Sequence, residues 1–251
     1  MTSCKNCNEP LVGKYCSNCG QSAGVQRISI STLLHDLPHA VFHIDKGILF
    51  NFAQLLKRPG RAIEDYLSGK RKSFFHPASY LVLALVLNYL VVKITNLHFF
   101  DVNELKSMDP LAARVITDYD AMQWWFLEHT YIYILLAIPA SSFFLFLLFK
   151  GMKQSFNVAE TAVVVLFAIA EGVLIQSFIY LVFGWIHSGP FIRTVESCNL
   201  VILILYASYV IFQLITLARP MWVRLLVSLF GGFGLAAVWV ASAYLLYLII
   251  G

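Results

Sequence analysis

From residue 79 onward the chain is divided into apolar runs longer than most globular helices need. They fall at 79–97, 131–149, 161–186, 197–217 and 222–250. At ~1.5 Å per helical residue, each is long enough to cross a hydrocarbon core of ~30 Å. Lipid offers no water to a backbone amide, so segments of this kind satisfy themselves as helices. The composition agrees: 59% of the 251 residues are hydrophobic and 13% are charged, whereas a soluble domain carries about 25% charged residues. The expected fold is an all-α integral membrane protein of about five transmembrane helices, with a small N-terminal zinc ribbon and an interfacial helical stretch. No internal repeat relates the runs, which argues against an inverted-repeat transporter.

Lys and Arg placement orients the runs. Of 18 such residues, only Lys93, Lys106, Arg114 and Arg193 fall on one side of a five-span arrangement. That side also carries Asp101, Glu104, Asp109, Asp118, Asp120 and Glu128. The rest precede residue 79 or sit in the loops with Lys150, Lys153, Arg219 and Arg224. The expected topology therefore puts the N-terminus in the cytoplasm and the C-terminus outside. The start, MTSCKNCNEP, is polar, so no cleavable signal peptide is expected. Topology accounts for the net charge of +4, and no nucleic-acid partner is expected.

The first twenty residues contain Cys4-x2-Cys7-x8-Cys16-x2-Cys19. Two CxxC knuckles this close suit one tetrahedral Zn(II) with four thiolates. Asn8 and Gly20 follow the second cysteine of each knuckle, where a tight turn lets backbone amides approach sulfur. A disulfide framework would need an oxidising compartment, and a thioredoxin-like site would need a βαβ context. A four-thiolate site is closed, hence structural and not catalytic. In a module of residues 1–21 the metal must supply most of the folding energy. Cys198, alone at the edge of a run, reads as inert.

Residues 22–31 read as a linker and 32–78 as an interfacial stretch leading into a transmembrane domain, 79–251. Apolar Val41, Ile44, Ile48, Phe52 and Leu55 recur at helical spacing. With Lys46, Lys57, Arg58 and Arg61 beside them, they suggest a helix lying apolar side down on the bilayer. Pro59-Gly60 ends it, a second short helix covers about 62–67, and Pro77 opens the first run. Lys57, Arg58, Arg61, Lys70, Arg71 and Lys72 are candidate contacts for anionic lipid headgroups, each worth about 1 kcal/mol near such a surface. His35, His39 and His43 are spaced to stack on one helical face, with Asp45 close by. They fit either a metal or acid/base cluster or amphipathic histidines at headgroup level, and Pro38 interrupts their register.

Beyond the first run, Asp109-Pro110 is a helix-start signal. Trp124, Trp125 and Phe126 fit an interfacial aromatic belt. Gly231, Gly232 and Gly234 in the last run would let helices approach closely. Glu171 lies near the middle of its run, where an ionised carboxylate costs on the order of 3 kcal/mol unless it faces protein or water. Residues of similar depth elsewhere are Asn88, Ser141, Ser142 and Ser208, so a buried polar layer is expected. Such a layer serves either as a proton or ion relay or as an interhelical bond that fixes packing.

The chain resembles a family of bacterial membrane proteins of unknown function, family 3667 of the domains of unknown function. The residues that carry the resemblance are CKNCNEPLVGKYCSNCGQ, His43-x-Asp45-x-Gly47, Arg58-Pro59-Gly60, Tyr66-Leu67-Ser68-Gly69-Lys70-Arg71 and Pro77. It covers roughly the first eighty residues; the later runs agree only in hydrophobicity. The resemblance implies a zinc ribbon followed by a multi-span domain in the bacterial inner membrane, and no activity. Three readings follow. The first is a binding or assembly protein whose ribbon docks a cytoplasmic partner or second copy and whose basic stretch holds lipid headgroups. The second is a transporter or lipid-handling protein using Glu171. The third is a membrane enzyme acting on a headgroup or phosphate through His43, Asp45, Lys70 and Arg71.

Overall fold

The structure is a computed structural model that describes residues 3–33, 48–96, 109–111, 114, 117, 130–186, 188–215 and 218–250. The candidate cluster His35, His39, His43 and Asp45 lies outside the described residues, as do Trp124, Trp125 and Phe126. The helices are α1 (Ile48–Lys57), α2 (Pro59–Ser68), α3 (Pro77–Thr95), α4 (Thr130–Gly151), α5 (Val158–Phe183), α6 (Gly189–Leu214) and α7 (Met221–Ile250). Among the described residues there is no strand, only isolated bridges between Ser3 and Pro10 and between Tyr15 and Ser22. Helices α3, α5, α6 and α7 are long and apolar enough to cross a membrane. Helix α4 is apolar over Leu136–Gly151. This is an all-helical architecture that fits a multi-pass membrane protein.

Helix α5 is the centre of the bundle. It is apolar all round, as a helix surrounded by protein must be, and it packs against α3, α4, α6 and both short helices. Val163, Phe167 and Ala170 are fully buried on it. A capping box starts it: the Asn157 side chain accepts from the Glu160 amide, and Glu160 Oε2 accepts from the Asn157 amide, each at 2.8 Å. Helix α7 uses its glycines to close on its neighbours. A Cβ on Gly232 would collide with Ser208 Oγ and lie 2.8 Å from the Ile204 carbonyl, and one on Gly234 would strike the Phe144 ring. Small residues at these positions let α7 sit directly on α6 and α4.

One end of the bundle gathers the N-terminal module, α1, α2 and the near ends of the long helices. We call it the ribbon end. Gln154 bonds Leu214 across it and Arg219 reaches Met152 O at 3.3 Å. Pro59 separates α1 from α2, and Pro77 occupies the first turn of α3. The exposed Asp109 carboxylate accepts from the Leu111 amide at 2.9 Å, an N-cap as its sequence suggests.

Two expectations are corrected. The stripe Ile48, Phe52 and Leu55 was expected to face lipid; Leu55 is instead fully buried, with Asn51, against the protein. Leu49, Phe50 and Leu56 are the apolar residues of α1 that are exposed. The second correction is of depth. Asn88 on α3 is level with Ser177, to which it donates at 3.1 Å. Glu171 is six residues nearer the ribbon end, a displacement of ~9 Å. The reason is that α5 begins well before α3: its first turns rise beside the linker, where Asn157 bonds Ile28 O at 3.0 Å.

Candidate functional site

The N-terminal module is a near-repeat with a twelve-residue offset. In the first knuckle the Cys4 amide bonds Glu9 O and the Asn8 amide bonds Cys4 O, both at 2.8 Å. In the second the Cys16 amide bonds Gln21 O at 2.8 Å and the Gly20 amide bonds Cys16 O at 2.9 Å. Asn8 and Gly20 both take left-handed backbone, φ 64° and 72°, as residues closing such turns do. The knuckles bring Cys4, Cys7, Cys16 and Cys19 together with all four Sγ atoms within 4.8 Å of one another. No disulfide joins them. The Cys16 thiol is lowered to about 7, first by the Cys19 backbone amide. Cys7 is pulled down by its backbone bond at Glu9, but burial and the other three sulfurs outweigh this and push it up to about 11. Four thiol sulfurs held this close, with no disulfide between them, are suited to a metal ion.

A buried side chain fastens the module to the bundle. Gln21 is buried, and its Nε2 donates to Gly69 O at 2.9 Å. Its Oε1 accepts from the amides of Arg71 and Lys72 at 3.0 and 3.1 Å. The turn it holds follows the end of α2. There Gly69, at φ 112°, caps the helix while the Lys70 amide bonds Asp65 O. A Cβ on Gly69 would lie 2.7 Å from Lys5 Cδ and 3.2 Å from Val25 Cγ1, so the ribbon and linker press directly on the glycine. A second fastening lies in the linker: Arg27 makes a two-pronged pair with Glu160, both contacts 2.7 Å, and also donates to Ser155 O. The Glu160 hydrogen bond, then its charge, raise the Arg27 pKa above its ordinary value.

Beneath this cap lies Glu171, fully buried. Tyr80, also fully buried, donates its phenolic O–H to Glu171 Oε2 at 2.6 Å. Glu171 Oε1 has no hydrogen-bond partner among the described residues. The lid over the pair is aromatic: Phe167 meets the Tyr66 ring at 5.2 Å and the Tyr80 ring at 6.3 Å. Tyr206 on α6 donates to Leu55 O at 3.2 Å. The polar layer expected from depth does not assemble around Glu171. Asn88 bonds Ser177, while Ser142 and Ser208 donate to carbonyls of their own helices. Ser141 Oγ is buried without a partner among the described residues. A second polar group, missed from the sequence, joins α5 to α6 further along: Tyr180 receives Gln176 at 2.7 Å and donates to Glu196.

The six basic candidates divide into two sets. Lys70 pairs with Asp65 at 2.6 Å, and Arg71 donates to Gln26 O at 2.7 Å with its guanidinium over the Tyr66 ring. With Lys72 they form the turn that the ribbon clamps. Lys57, Arg58 and Arg61 lie instead at the α1–α2 elbow, beside the ribbon end of α6. There Gln213 Oε1 accepts from the Gly60 amide at 3.0 Å. Arg58 is engaged by Gln54 at 2.6 Å and Asp65 at 3.7 Å.

Residues 45–88 match a family described as "Protein of unknown function (DUF3667)". The matched segment contains α1, the elbow, α2, the clamped turn and Tyr80, and it agrees with the resemblance read from the sequence. No curated protein and no solved structure matches the chain.

Proposed function

We propose that this is a multi-pass protein of the bacterial inner membrane that binds anionic lipid headgroups at its cytoplasmic face and offers its zinc ribbon to a cytoplasmic partner or a second copy. One observation carries the reading. Lys57, Arg58, Arg61, Lys70, Arg71 and Lys72 all stand at the ribbon end, together with Lys150, Lys153, Arg219 and Arg224 from the helix ends there. Basic residues gathered at one end of a helical bundle favour the cytoplasmic side and attract anionic lipid. With α4 as a fifth span, the N-terminus lies inside and the C-terminus outside. The ion is zinc. Tetrahedral Zn–S bonds of ~2.3 Å place sulfurs about 3.8 Å apart, and the Cys4–Cys19 and Cys7–Cys16 separations are 3.6 and 3.5 Å. Its role is structural, because four thiolates leave it no open position.

The test is lipid retention. Full-length protein extracted from its membrane and weighed intact should carry anionic lipid in excess of the bilayer proportion. Changing the six basic residues to Gln should abolish that excess. Lipid retained in bulk proportion, and indifferent to the changes, would contradict the reading.

A second reading, transport, is supported by Glu171. One of its oxygens has no partner among the described residues, and its helical neighbours Ala168 and Gly172 line an apolar cavity of ≈ 270 Å³. A Glu171→Gln protein that folds normally but loses biological activity would favour it.

A further inference from the structure

The elbow between α1 and α2 does more than display charge. It forms one wall of a cavity of ≈ 840 Å³ whose other walls are the ribbon end of α6 and the first turn of α7. Four cations line it: Lys57, Arg58, Arg61 and Arg224. One carboxylate, Glu64, opposes them, and it is held above its ordinary range by burial first and by Asp65 next. Among the described residues neither Lys57 nor Arg61 makes an ion pair.

Arg224 is the residue that marks this as a built site. Its guanidinium lies 4.2 Å above the Phe212 ring and donates to Phe212 O at 2.9 Å, which fixes its orientation. Its Nε is buried and has no acceptor among the described residues. A buried, oriented donor of this kind is costly to leave unmatched, and a planar guanidinium is matched best by an oxyanion that takes two of its bonds. The elbow itself is pinned from behind, since Gln213 occupies the Gly60 amide and Tyr209 donates to Lys57 O at 3.3 Å. The backbone of the elbow is thus held by bonds that use none of the four cationic side chains.

We propose that this cavity is a discrete binding site for a phosphate ester, with Arg224 and Arg61 as its principal ligands and Lys57 as a further charge. Lipid phosphodiesters and soluble phosphates share this chemistry. The proposal deepens the headgroup reading by assigning it one site, separate from the clamped turn at Lys70 and Lys72.

The experiment uses full-length protein in neutral detergent, titrated with short-chain phosphatidylglycerol, short-chain phosphatidylcholine and inorganic phosphate, with bound species read by intact-protein mass. Phosphatidylglycerol should bind with a stoichiometry of one and in preference to phosphatidylcholine. Arg224→Gln and Arg61→Gln should each weaken it about tenfold, the scale of one charged hydrogen bond. Lys70→Gln with Lys72→Gln should change it less than about twofold, because neither residue lines the cavity. Arg61 carries an exposed side chain, so its variant reports on the site even if Arg224→Gln fails to fold. Competition by inorganic phosphate at similar concentration assigns the site to soluble phosphates; its failure to compete assigns it to lipid. Equal weakening by all the variants would overturn the discrete site while leaving the headgroup reading intact. Absence of any anionic preference would overturn both.

Discussion

The Tyr80 hydroxyl donates to Glu171 Oε2 at 2.6 Å, joining the first turn of α3 to the middle of α5. Both side chains are fully buried. Together with the Asn88–Ser177 bond, their bond fixes the offset between α3 and α5.

Removing the donor should therefore be felt. Tyr80→Phe leaves Glu171 with neither oxygen matched, at a cost of about 1–3 kcal/mol. Thermal unfolding in detergent should fall by several degrees. Glu171→Gln keeps an acceptor for Tyr80 and should fall less, and the double variant should lose less than the two single changes combined. Additive losses would mean that the pair contributes nothing as a pair.

Two helical glycines, Gly232 on α7 and Gly172 on α5, give a graded prediction. Gly232→Ala puts a methyl against Ser208 Oγ and the Ile204 carbonyl, and a backbone carbonyl cannot move aside. Gly172→Ala meets only the tip of Leu203 at 3.2 Å, a flexible side chain that can give way. Overpacking costs about 1–3 kcal/mol where neighbours are fixed, so Gly232→Ala should lower thermal stability and Gly172→Ala should change it little. The reverse order would show that α7 does not pack on α6 as described.

What the sequence makes legible is whatever depends on neighbours in the chain. Cysteine spacing places four sulfurs together, Pro59 ends one helix and Pro77 starts another, and long apolar runs become helices. That the second short helix begins at Pro59 itself, and not near residue 62, is not legible there. What it hides is register. The partner of Glu171 cannot be read without knowing that α5 begins outside the level of α3, and that start depends on a capping box at Asn157 and Glu160 and on Arg27 from the linker. Gln21 is hidden for a related reason. It occupies the same place in the second knuckle that Glu9 occupies in the first, and only the docked position of the ribbon distinguishes them. Arg224 is distant in sequence from Lys57, Arg58 and Arg61, and only the return of α6 and α7 brings it to them.

Topology can be tested separately. Reporters fused after Gly151 and after Gly251 should fall on opposite sides, cytoplasmic and outside respectively. If both report the cytoplasm, α4 or α7 does not cross.

Gln21→Ala should loosen the ribbon without disturbing its metal. The change strands the Lys72 amide and takes one bond each from Gly69 O and the Arg71 amide, which keep their mutual bond at 3.0 Å, at a cost of about 2 kcal/mol. Limited proteolysis should then cut the linker near residues 24–30 faster, while zinc content stays unchanged. Loss of zinc together with the docking would show that Gln21 serves the metal site instead.

The central claim is that a metal-built ribbon clamps the basic turn of the ribbon end. Amide hydrogen exchange over residues 67–76 of the full-length protein, with zinc bound and after its removal by a chelator, tests this most directly. The account predicts that the Arg71 and Lys72 amides, protected by Gln21 Oε1 when zinc is bound, exchange at least about tenfold faster once it is removed, the equivalent of ~1.4 kcal/mol of lost protection. Equal exchange in the two states would contradict it.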